Sequence, residues 1–135
     1  MTELLGTWVL VSCVSHRGES EVASFGTPPA GQLQYTADGR MSAFLMDPAW
    51  AAAGDPHADS FTDFFSYAGH WRRDGDMVTH DILFASQPSR VGTSFVRQIV
   101  PVDDDTIELV TQPEVSKSGR TYVTRLVWKR ASPAA

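Results

Sequence analysis

The sequence lacks the features that mark several large classes of protein. Its one cysteine, Cys13, excludes an internal disulfide framework and a cysteine-rich zinc site. No apolar run approaches the roughly 20 residues of a membrane span. The first residues contain neither a basic region nor a cleavage site, so we predict no signal peptide. Glycine-rich phosphate loops and Gly-x-Ser-x-Gly elbows are absent as well.

Positive charge is also scarce. Lys and Arg number 11 against 16 Asp and Glu, and the net charge is −5. Because phosphate binding needs clustered positive charge, we predict no nucleic-acid partner. With 135 residues, 42% of them hydrophobic and 20% charged, the chain has the size and composition of one globular domain over residues 1–135. We expect a small acidic protein of the cytoplasm that does not bind membranes, in an oligomeric state that the sequence leaves open.

One acidic segment has the composition of a metal site. It contains Asp55, His57, Asp59 and Asp63. Their spacing matches no strong metal motif. Asp55 is better explained as a helix cap, and the later acids as residues near the start and on the solvated face of that helix. We therefore predict no bound metal ion, and no other motif indicates a cofactor.

Most of the chain follows the two-residue alternation of β-strands, with turn signals between short segments. The pattern predicts eight strands, at residues 7–16, 32–36, 40–46, 65–73, 76–84, 93–102, 106–112 and 120–130. Asp38-Gly39 and Asp74-Gly75 lie between strand-like runs, where an Asp-Gly pair is a strong hairpin signal. Gly18 with the stretch 26–29, and residues 113–119, are predicted to form loops.

Two Asp-Pro pairs interrupt the alternation after the third strand. Asp47-Pro48 and Asp55-Pro56 each place a capping aspartate before a proline at the first helical position. Gly54 can end the first helix. The sequence therefore predicts two short helices, at residues 48–53 and 56–64.

Eight antiparallel strands joined mostly by short links must protect the edges of their sheet. Closure into an up-and-down barrel removes the edges, and eight strands leave room for one small ligand. A packed sandwich is the competing architecture. The long aromatic-containing strands and the single helical insert favour an all-β, eight-stranded antiparallel barrel with the insert after strand three.

The strand at 76–84 carries a histidine on its apolar face. Alternation puts His80 on the same side as Val78, Ile82 and Phe84, and this side is the more apolar one. We therefore expect His80 to point into the barrel.

The hairpins on either side of this strand predict the neighbours of His80. A two-residue turn at Asp74-Gly75 would place Gly69 opposite His80. A symmetric loop at 85–92 would place Arg97 opposite His80 on the other side. The sequence thus predicts an imidazole beside a guanidinium in an otherwise apolar wall, in registers that a β-bulge would change.

A buried guanidinium needs an acceptor, and leaving it unpaired costs several kcal/mol. No Asp or Glu falls on the inward face of these strands, so an anionic, carbonyl or enolate oxygen of a ligand could satisfy Arg97. The alternative is that Arg97 points into a loop or bonds backbone carbonyls. His80 could act as a general acid or base, because its reference pKa lies near neutrality. Its alternative role is that of a core histidine bonded to Tyr67, Tyr122 or a water.

The remaining expected site residues are mostly aromatic and lie on the predicted inward faces. With His80 and Arg97 as candidate catalytic residues, the predicted ligand-binding residues are Trp8, Tyr35, Tyr67, Gly69, Trp71, Phe84, Phe95 and Tyr122.

An ordered set of motifs runs from residue 5 to residue 130. In order, the main ones are Leu5-Gly6-Thr7-Trp8, Gly31-Gln32-Leu33-Gln34-Tyr35-Thr36-Ala37-Asp38-Gly39, Tyr67-Ala68-Gly69, Val78-Thr79-His80, Val96-Arg97 and Leu126-Val127-Trp128-Lys129-Arg130. This set resembles the bacterial and fungal lipocalin-like domain family, a branch of the calycin barrels. The resemblance implies an eight-stranded barrel with an internal pocket for a small hydrophobic or amphipathic molecule. Trp8 and Arg130 look similar to the tryptophan and arginine that close one end of true lipocalins.

Three functional hypotheses follow. The first is a protein that binds a small hydrophobic or amphipathic organic molecule, whose oxygen meets Arg97 and His80. The second is an isomerase or cyclase of natural-product biosynthesis, acting on a polyketide- or terpenoid-like intermediate in the same cavity. It would act by shape, with His80 as acid or base and Arg97 stabilising an oxyanion. The third is a structural domain with a filled, inert barrel.

Overall fold

The computed structural model describes residues 2–54, 63–116 and 118–132, and it is all-β with one short α-helix. The strands are β1 (Gly6–Arg17), β2 (Ser20–Ala23), β3 (Ala30–Tyr35), β4 (Arg40–Met46), β5 (Phe64–Asp74), β6 (Met77–Ala85), β7 (Ser94–Pro101), β8 (Thr106–Thr111), β9 (Glu114–Val115) and β10 (Thr121–Arg130). The helices are α1 (Pro48–Ala53) and a 3₁₀ turn at Pro88–Arg90.

Eight of these strands form a closed antiparallel barrel. β1 and β3 to β8 pair in sequence order, β8 pairs with β10, and β10 pairs back with β1 from Trp8 opposite Arg130 to His16 opposite Val123. The prediction of an eight-stranded barrel is therefore confirmed, and the sandwich alternative is wrong. β2 extends the sheet beside β1, and β9 lies beside β10. β9 falls in the segment 113–119 that was predicted as a loop, and β2 lies between the predicted loop residues Gly18 and 26–29.

Helix α1 follows β4 as predicted. The side chain of Asp47 accepts a hydrogen bond from the backbone N–H of Ala49 at 2.9 Å, and Gly54 ends the helix in the left-handed conformation, with φ 63°. The second predicted helix lies outside the described residues over 56–62, and its last residue, Phe64, begins β5. Within the described ranges, no helix has the length and apolar character needed to cross a membrane.

One end of the barrel is closed by a tryptophan beneath an arginine. Trp8 is fully buried, and its Nε1–H donates to the backbone oxygen of Leu4 at 2.9 Å. The guanidinium carbon of Arg130 lies 4.2 Å from the centre of the Trp8 ring system, and its Nη1 donates to the backbone oxygen of Leu5 at 2.9 Å. This cation–π contact fixes the start of β1 on the end of β10, so the closed end is packed.

A bulge in β1 reverses the direction of the side chains along that strand. Leu10 lies opposite Trp128 and Ser12 opposite Val127, so Val11 has no partner on β10. Beyond this extra residue, the inward positions move to the odd-numbered residues. Strict alternation from Trp8 would put Cys13 on the outer face, whereas Cys13 points into the barrel.

A second bulge lies in β6 and corrects the prediction for Phe84. Ile82 lies opposite Gly69 and Phe84 opposite Ala68, which leaves Leu83 as the extra residue. The alternation is inverted beyond it, and Phe84 is 68% exposed on the outer surface. Phe84 was predicted to line the barrel cavity, and the bulge is the physical reason that its side chain lies on the outside instead.

The turn between β5 and β6 also differs from the predicted one. Asp74 pairs with Met77, so the two central residues are Gly75 and Asp76, with Gly75 at φ 61°. Trp71 rather than Gly69 is therefore opposite His80.

The β6–β7 pairing is displaced by two residues as well. His80 lies opposite Phe95, and Arg97 lies opposite Val78. The predicted direct pairing of His80 with Arg97 is wrong. A slip of two residues preserves the faces of a strand, however, so both side chains still belong to the inward face.

Candidate functional site

The barrel contains a cavity of about 290 Å³ that is open to solvent. It lies away from the end closed by Trp8, since Arg17 at the end of β1 and Tyr122 at the start of β10 both line it. Most of its wall is apolar, including Leu33, Leu45, Phe65, Phe95, Leu109 and Leu126. Pockets for small molecules usually measure about 300 to 1,000 Å³, so this cavity is at the small end of that range.

Arg97 projects from β7 into this cavity. Its guanidinium carbon lies 4.4 Å from the centre of the Phe95 ring, and its Nη1 makes one long contact of 3.4 Å to the backbone oxygen of Val96. Among the described residues, no carboxylate lies within ion-pair distance of it. Burial lowers the pKa of Arg97, yet an arginine keeps its charge at neutral pH. The wall therefore holds a positive charge whose hydrogen-bonding capacity is largely unused.

The cavity as a whole is positively charged, although the protein is acidic. Among the described residues, its charged lining consists of Arg17, Arg90 and Arg97 with one carboxylate, Glu114. The guanidinium of Arg17 lies over the ring of Tyr122 at 5.2 Å, and that of Arg90 over Phe95 at 5.3 Å. A concentration of one sign of charge in a concave, low-dielectric site attracts ligands of the opposite sign.

His80 forms the centre of a buried chain of three side chains. Its Nε2 is 2.6 Å from the hydroxyl oxygen of Tyr35, and its Nδ1 is 2.9 Å from the hydroxyl oxygen of Tyr67. The imidazole is 1% exposed. Burial, together with the nearby charge of Arg97, lowers the pKa of His80 to about 3, so the ring is neutral at physiological pH.

The two tyrosines of the chain are neutral as well. Burial raises the pKa of Tyr67 to about 12. It raises the pKa of Tyr35 well above its ordinary value, and the nearby Tyr67 hydroxyl adds to that shift. The Tyr35–His80–Tyr67 chain is therefore an uncharged hydrogen-bond network beside the charged Arg97.

This geometry agrees with the alternative in which His80 is a hydrogen-bonded core histidine. Tyr67 is one of its predicted partners, whereas Tyr35 is a partner that the sequence did not indicate. Both ring nitrogens are engaged. A proton exchange between His80 and a ligand would require one of these two bonds to break.

Half of the predicted site residues line the cavity. They are Tyr67, His80, Phe95, Arg97 and Tyr122. Their strands, β5, β6, β7 and β10, lie on more than one side of the barrel. The cavity therefore brings together residues that are up to 55 positions apart in the sequence.

The other half do not line it. They are Trp8, Tyr35, Gly69, Trp71 and Phe84. The ring of Trp71 packs 4.9 Å from that of Tyr35, and its Nε1–H donates to the backbone oxygen of Thr36 at 3.0 Å. Gly69 has a steric role, because a Cβ atom there would lie 1.8 Å from the backbone oxygen of Asp81. Tyr35 and Trp71 thus pack against each other outside the cavity lining, where Tyr35 holds His80. Gly69 permits the close approach of β5 to the bulge in β6.

Sequence reasoning missed the polar residues that β1 and β8 contribute to the wall. Ser15 and Thr124 are joined by a hydrogen bond of 2.8 Å between their hydroxyl oxygens, and Cys13 and Thr111 lie nearby in the lining. Burial raises the pKa of the Cys13 thiol to about 11, so it is almost wholly protonated at neutral pH. The bulge at Val11 explains why Cys13 and Ser15 were missed, because a strict alternation from Trp8 puts both on the outer face.

A closed barrel with an apolar, solvent-accessible cavity and a few inward polar groups is the architecture of small-molecule binding barrels. The sequence matches the model of the lipocalin-like domain family over residues 5–131. The chain therefore belongs to the lipocalin-like domain family, as the motifs predicted. Membership of this family indicates ligand binding in general. A comparison with curated proteins finds no match.

Two solved structures resemble the barrel. One is an uncharacterized protein from Bacteroides eggerthii DSM 20697, with 10% sequence identity and a TM-score of 0.49, over 96% of this chain and 100% of that chain. The other is a redesigned β-barrel, with 14% identity and a TM-score of 0.46, over 96% of this chain and 92% of that chain.

Proposed function

We propose that the protein binds a small, partly apolar organic molecule in the barrel cavity, and that an anionic oxygen of this molecule contacts Arg97. The observation that carries the proposal is the guanidinium of Arg97, which faces the cavity without a carboxylate partner among the described residues. Arg97 is half-buried at the solvent-open cavity, so the apolar wall removes part of its hydration and a partner of opposite charge would stabilise it. A ligand oxyanion supplies that partner and makes charge-assisted hydrogen bonds with it.

The charge of the whole cavity supports an anion rather than a neutral carbonyl compound. Arg17 and Arg90 add positive charge to the lining, and Glu114 offsets only part of it. This excess attracts a carboxylate towards the cavity and repels an ammonium compound.

The rest of the wall suits an apolar body. Phe65 and Phe95 form an edge-to-face pair with ring centres 6.3 Å apart, and Leu109 and Trp128 also line the cavity. Each Å² of apolar ligand surface buried there contributes about 25 cal/mol. The proposed ligand is thus an amphipathic acid with one anionic group.

The isomerase or cyclase alternative receives less support. Chemistry on a polyketide- or terpenoid-like intermediate would need His80 to accept or donate a proton at the ligand. Its two nitrogens are bonded to Tyr35 and Tyr67, and its pKa of about 3 makes it a weak base. Binding without chemistry is therefore the function that the geometry favours.

The test is a titration of the whole protein with two apolar carboxylates, octanoate and 4-phenylbutyrate. Binding is measured by calorimetry and by tryptophan fluorescence, because Trp128 lines the cavity. The variant Arg97→Leu should bind at least about tenfold more weakly, since hydrogen bonds to charged groups contribute roughly 1.5–3 kcal/mol.

The matched control is Arg125→Leu. Arg125 is an arginine of β10 that forms an exposed ion pair of 2.7 Å with Glu108 and does not line the cavity. This variant should bind like the wild type. Equal affinities of the wild type and Arg97→Leu, or no binding of either carboxylate to the wild type, would refute the proposal.

A further inference from the structure

We infer that Tyr67 is a second ligand-contacting residue, and that the Tyr35–His80–Tyr67 chain holds its hydroxyl as a hydrogen-bond donor towards the cavity. The inference rests on the proposed function and narrows it. With Arg97, Tyr67 forms a site of two donors, which selects an oxygen that only accepts hydrogen bonds, such as a carboxylate, over a hydroxyl group.

The position of the ring hydrogen of His80 determines which of the two tyrosines donates to the ring. A neutral imidazole has one N–H donor and one nitrogen lone pair. His80 contacts one tyrosine hydroxyl at each nitrogen. One tyrosine must therefore donate to the ring, and the other must accept from it.

Tyr35 forms the buried end of the chain. This residue is 2% exposed and does not line the cavity, and among the described residues its hydroxyl has Nε2 of His80 as its hydrogen-bond partner. If Nε2 carried the hydrogen, the Tyr35 hydroxyl hydrogen would be buried without an acceptor, which folded proteins avoid. Tyr35 is therefore the donor, and Nε2 of His80 is the acceptor.

Tyr67 forms the end of the chain at the cavity. The hydrogen of His80 is on Nδ1, which donates to the hydroxyl oxygen of Tyr67 at 2.9 Å. The hydroxyl hydrogen of Tyr67 is then not used by the chain. Tyr67 lines the cavity, so this hydrogen is available to a ligand oxygen, and the hydrogen bond from His80 polarises it further.

Tyr67 and Arg97 both lie next to Phe95. The ring of Phe95 lies 5.1 Å from the ring of Tyr67, and the guanidinium carbon of Arg97 lies 4.4 Å from the same Phe95 ring. Both donors thus flank one aromatic side chain of the wall. Preorganised donors in an apolar site stabilise an oxyanion strongly, because they need not reorient when it arrives.

Tyr67 acts here as a donor and not as an acid. A proton passed from Tyr67 to the ligand would be replaced through His80 from Tyr35, which would leave a buried phenolate at the inner end of the chain. Burial opposes that charge. The inferred site therefore binds an anion that is already formed.

The first experiment determines the tautomer of His80 in the wild-type protein without ligand. Long-range ¹H–¹⁵N spectra of the ¹⁵N-labelled protein at neutral pH distinguish the protonated ring nitrogen from the other one. We expect the hydrogen on Nδ1. A hydrogen on Nε2 would overturn the inference. Tyr67 would then donate its hydroxyl hydrogen to His80 and could only accept a hydrogen bond from a ligand.

The second experiment compares 4-phenylbutyrate with the matched alcohol 4-phenylbutan-1-ol. Charge-assisted hydrogen bonds are roughly twice as strong as neutral ones, so Tyr67→Phe should weaken carboxylate binding roughly tenfold and alcohol binding no more than about threefold. The control Thr7→Val removes a hydroxyl on the outer face, which accepts a hydrogen bond from Gln34, and should change neither affinity. An equal loss for the two probes, or no loss for the carboxylate, would contradict the inference.

The outcomes separate the two proposals. Failure of the wild type to bind 4-phenylbutyrate overturns the proposed function, whereas the tautomer of His80 is measured without a ligand. Binding that depends on Arg97 but not on Tyr67 leaves the proposed function intact and removes the inference. If Tyr67→Phe does not fold, the spectra of the wild-type protein decide.

Discussion

The hydroxyl oxygen of Tyr35 lies 2.6 Å from Nε2 of His80, and both residues are almost completely buried. Tyr35 belongs to β3 and His80 to β6, and two further strands separate them in the sheet. The bond therefore spans the barrel interior and connects two parts of its wall. A single polar contact of this kind fixes the position of the imidazole more closely than apolar packing does, because it has a direction.

Removal of this bond should destabilise the fold. Tyr35→Phe keeps the ring that packs on Trp71 but deletes the donor to the buried nitrogen of His80. The expected loss in the free energy of unfolding is about 1–2 kcal/mol, measured by urea denaturation. Tyr122→Phe, which removes a less buried hydroxyl, should lose less than about 0.5 kcal/mol. Equal losses in the two variants would contradict a special role for the Tyr35 hydroxyl.

The stability of the protein should fall as the pH decreases from about 6.5 to about 3. The pKa of His80 is lowered from 6.5 to about 3 in the folded state, so in this window the unfolded chain binds a proton that the folded chain excludes. Stability from this group is complete above the unfolded pKa and decreases by about 1.4 kcal/mol per pH unit below it. Denaturation at several pH values should show a shallower decrease for His80→Gln. If the free energy of unfolding fell equally with pH in the wild type and in His80→Gln, His80 would not be the cause of the decrease.

Cys13 should react slowly with thiol reagents, although the cavity is open to solvent. Its pKa is raised from 9.0 to about 11 by burial, which lowers the thiolate fraction at pH 8 roughly 100-fold. The rate of alkylation by iodoacetamide should therefore be at least that much lower in the folded protein than in urea. Because Cys13 lines the cavity, 4-phenylbutyrate should slow the reaction further. A folded-state rate equal to the rate in urea would contradict the buried position of the thiol.

Gly69→Ala should destabilise the barrel at the bulge of β6. The new Cβ would lie 1.8 Å from the backbone oxygen of Asp81, so β5 and β6 must move apart. Overpacking of this kind costs roughly 1–3 kcal/mol, measured by thermal unfolding. Ala68→Ser, a change of similar size at the next residue of β5, is the control and should have a small effect. An unchanged stability of Gly69→Ala would show that the bulge can shift freely.

Much of the barrel could be predicted from local patterns. Alternation of apolar residues indicated the eight barrel strands, and Asp47-Pro48 with Gly54 marked helix α1. The inward direction of His80 and Arg97 was also correct, because a register error of two residues leaves every side chain on its own face. The motifs from residue 5 to residue 130 identified the family.

The details of the candidate site could not be predicted in this way. The bulges at Val11 and Leu83 insert single residues that look like ordinary strand positions in the sequence. They turned Cys13 into the cavity and Phe84 out of it. The hydrogen bond between Tyr35 and His80 depends on how four strands curve around the interior. The sequence around either residue gives no indication of the other.

The sequence by itself therefore determined the strands, the inward faces up to the two bulges and the family, because these depend on periodicity and turn chemistry along the chain. The tertiary structure decided which inward residues meet: His80 between two tyrosines, and Arg97 beside Phe95 at an open cavity. The physical reason is that register, bulges and barrel closure are set by hydrogen bonds between strands that are distant in the sequence.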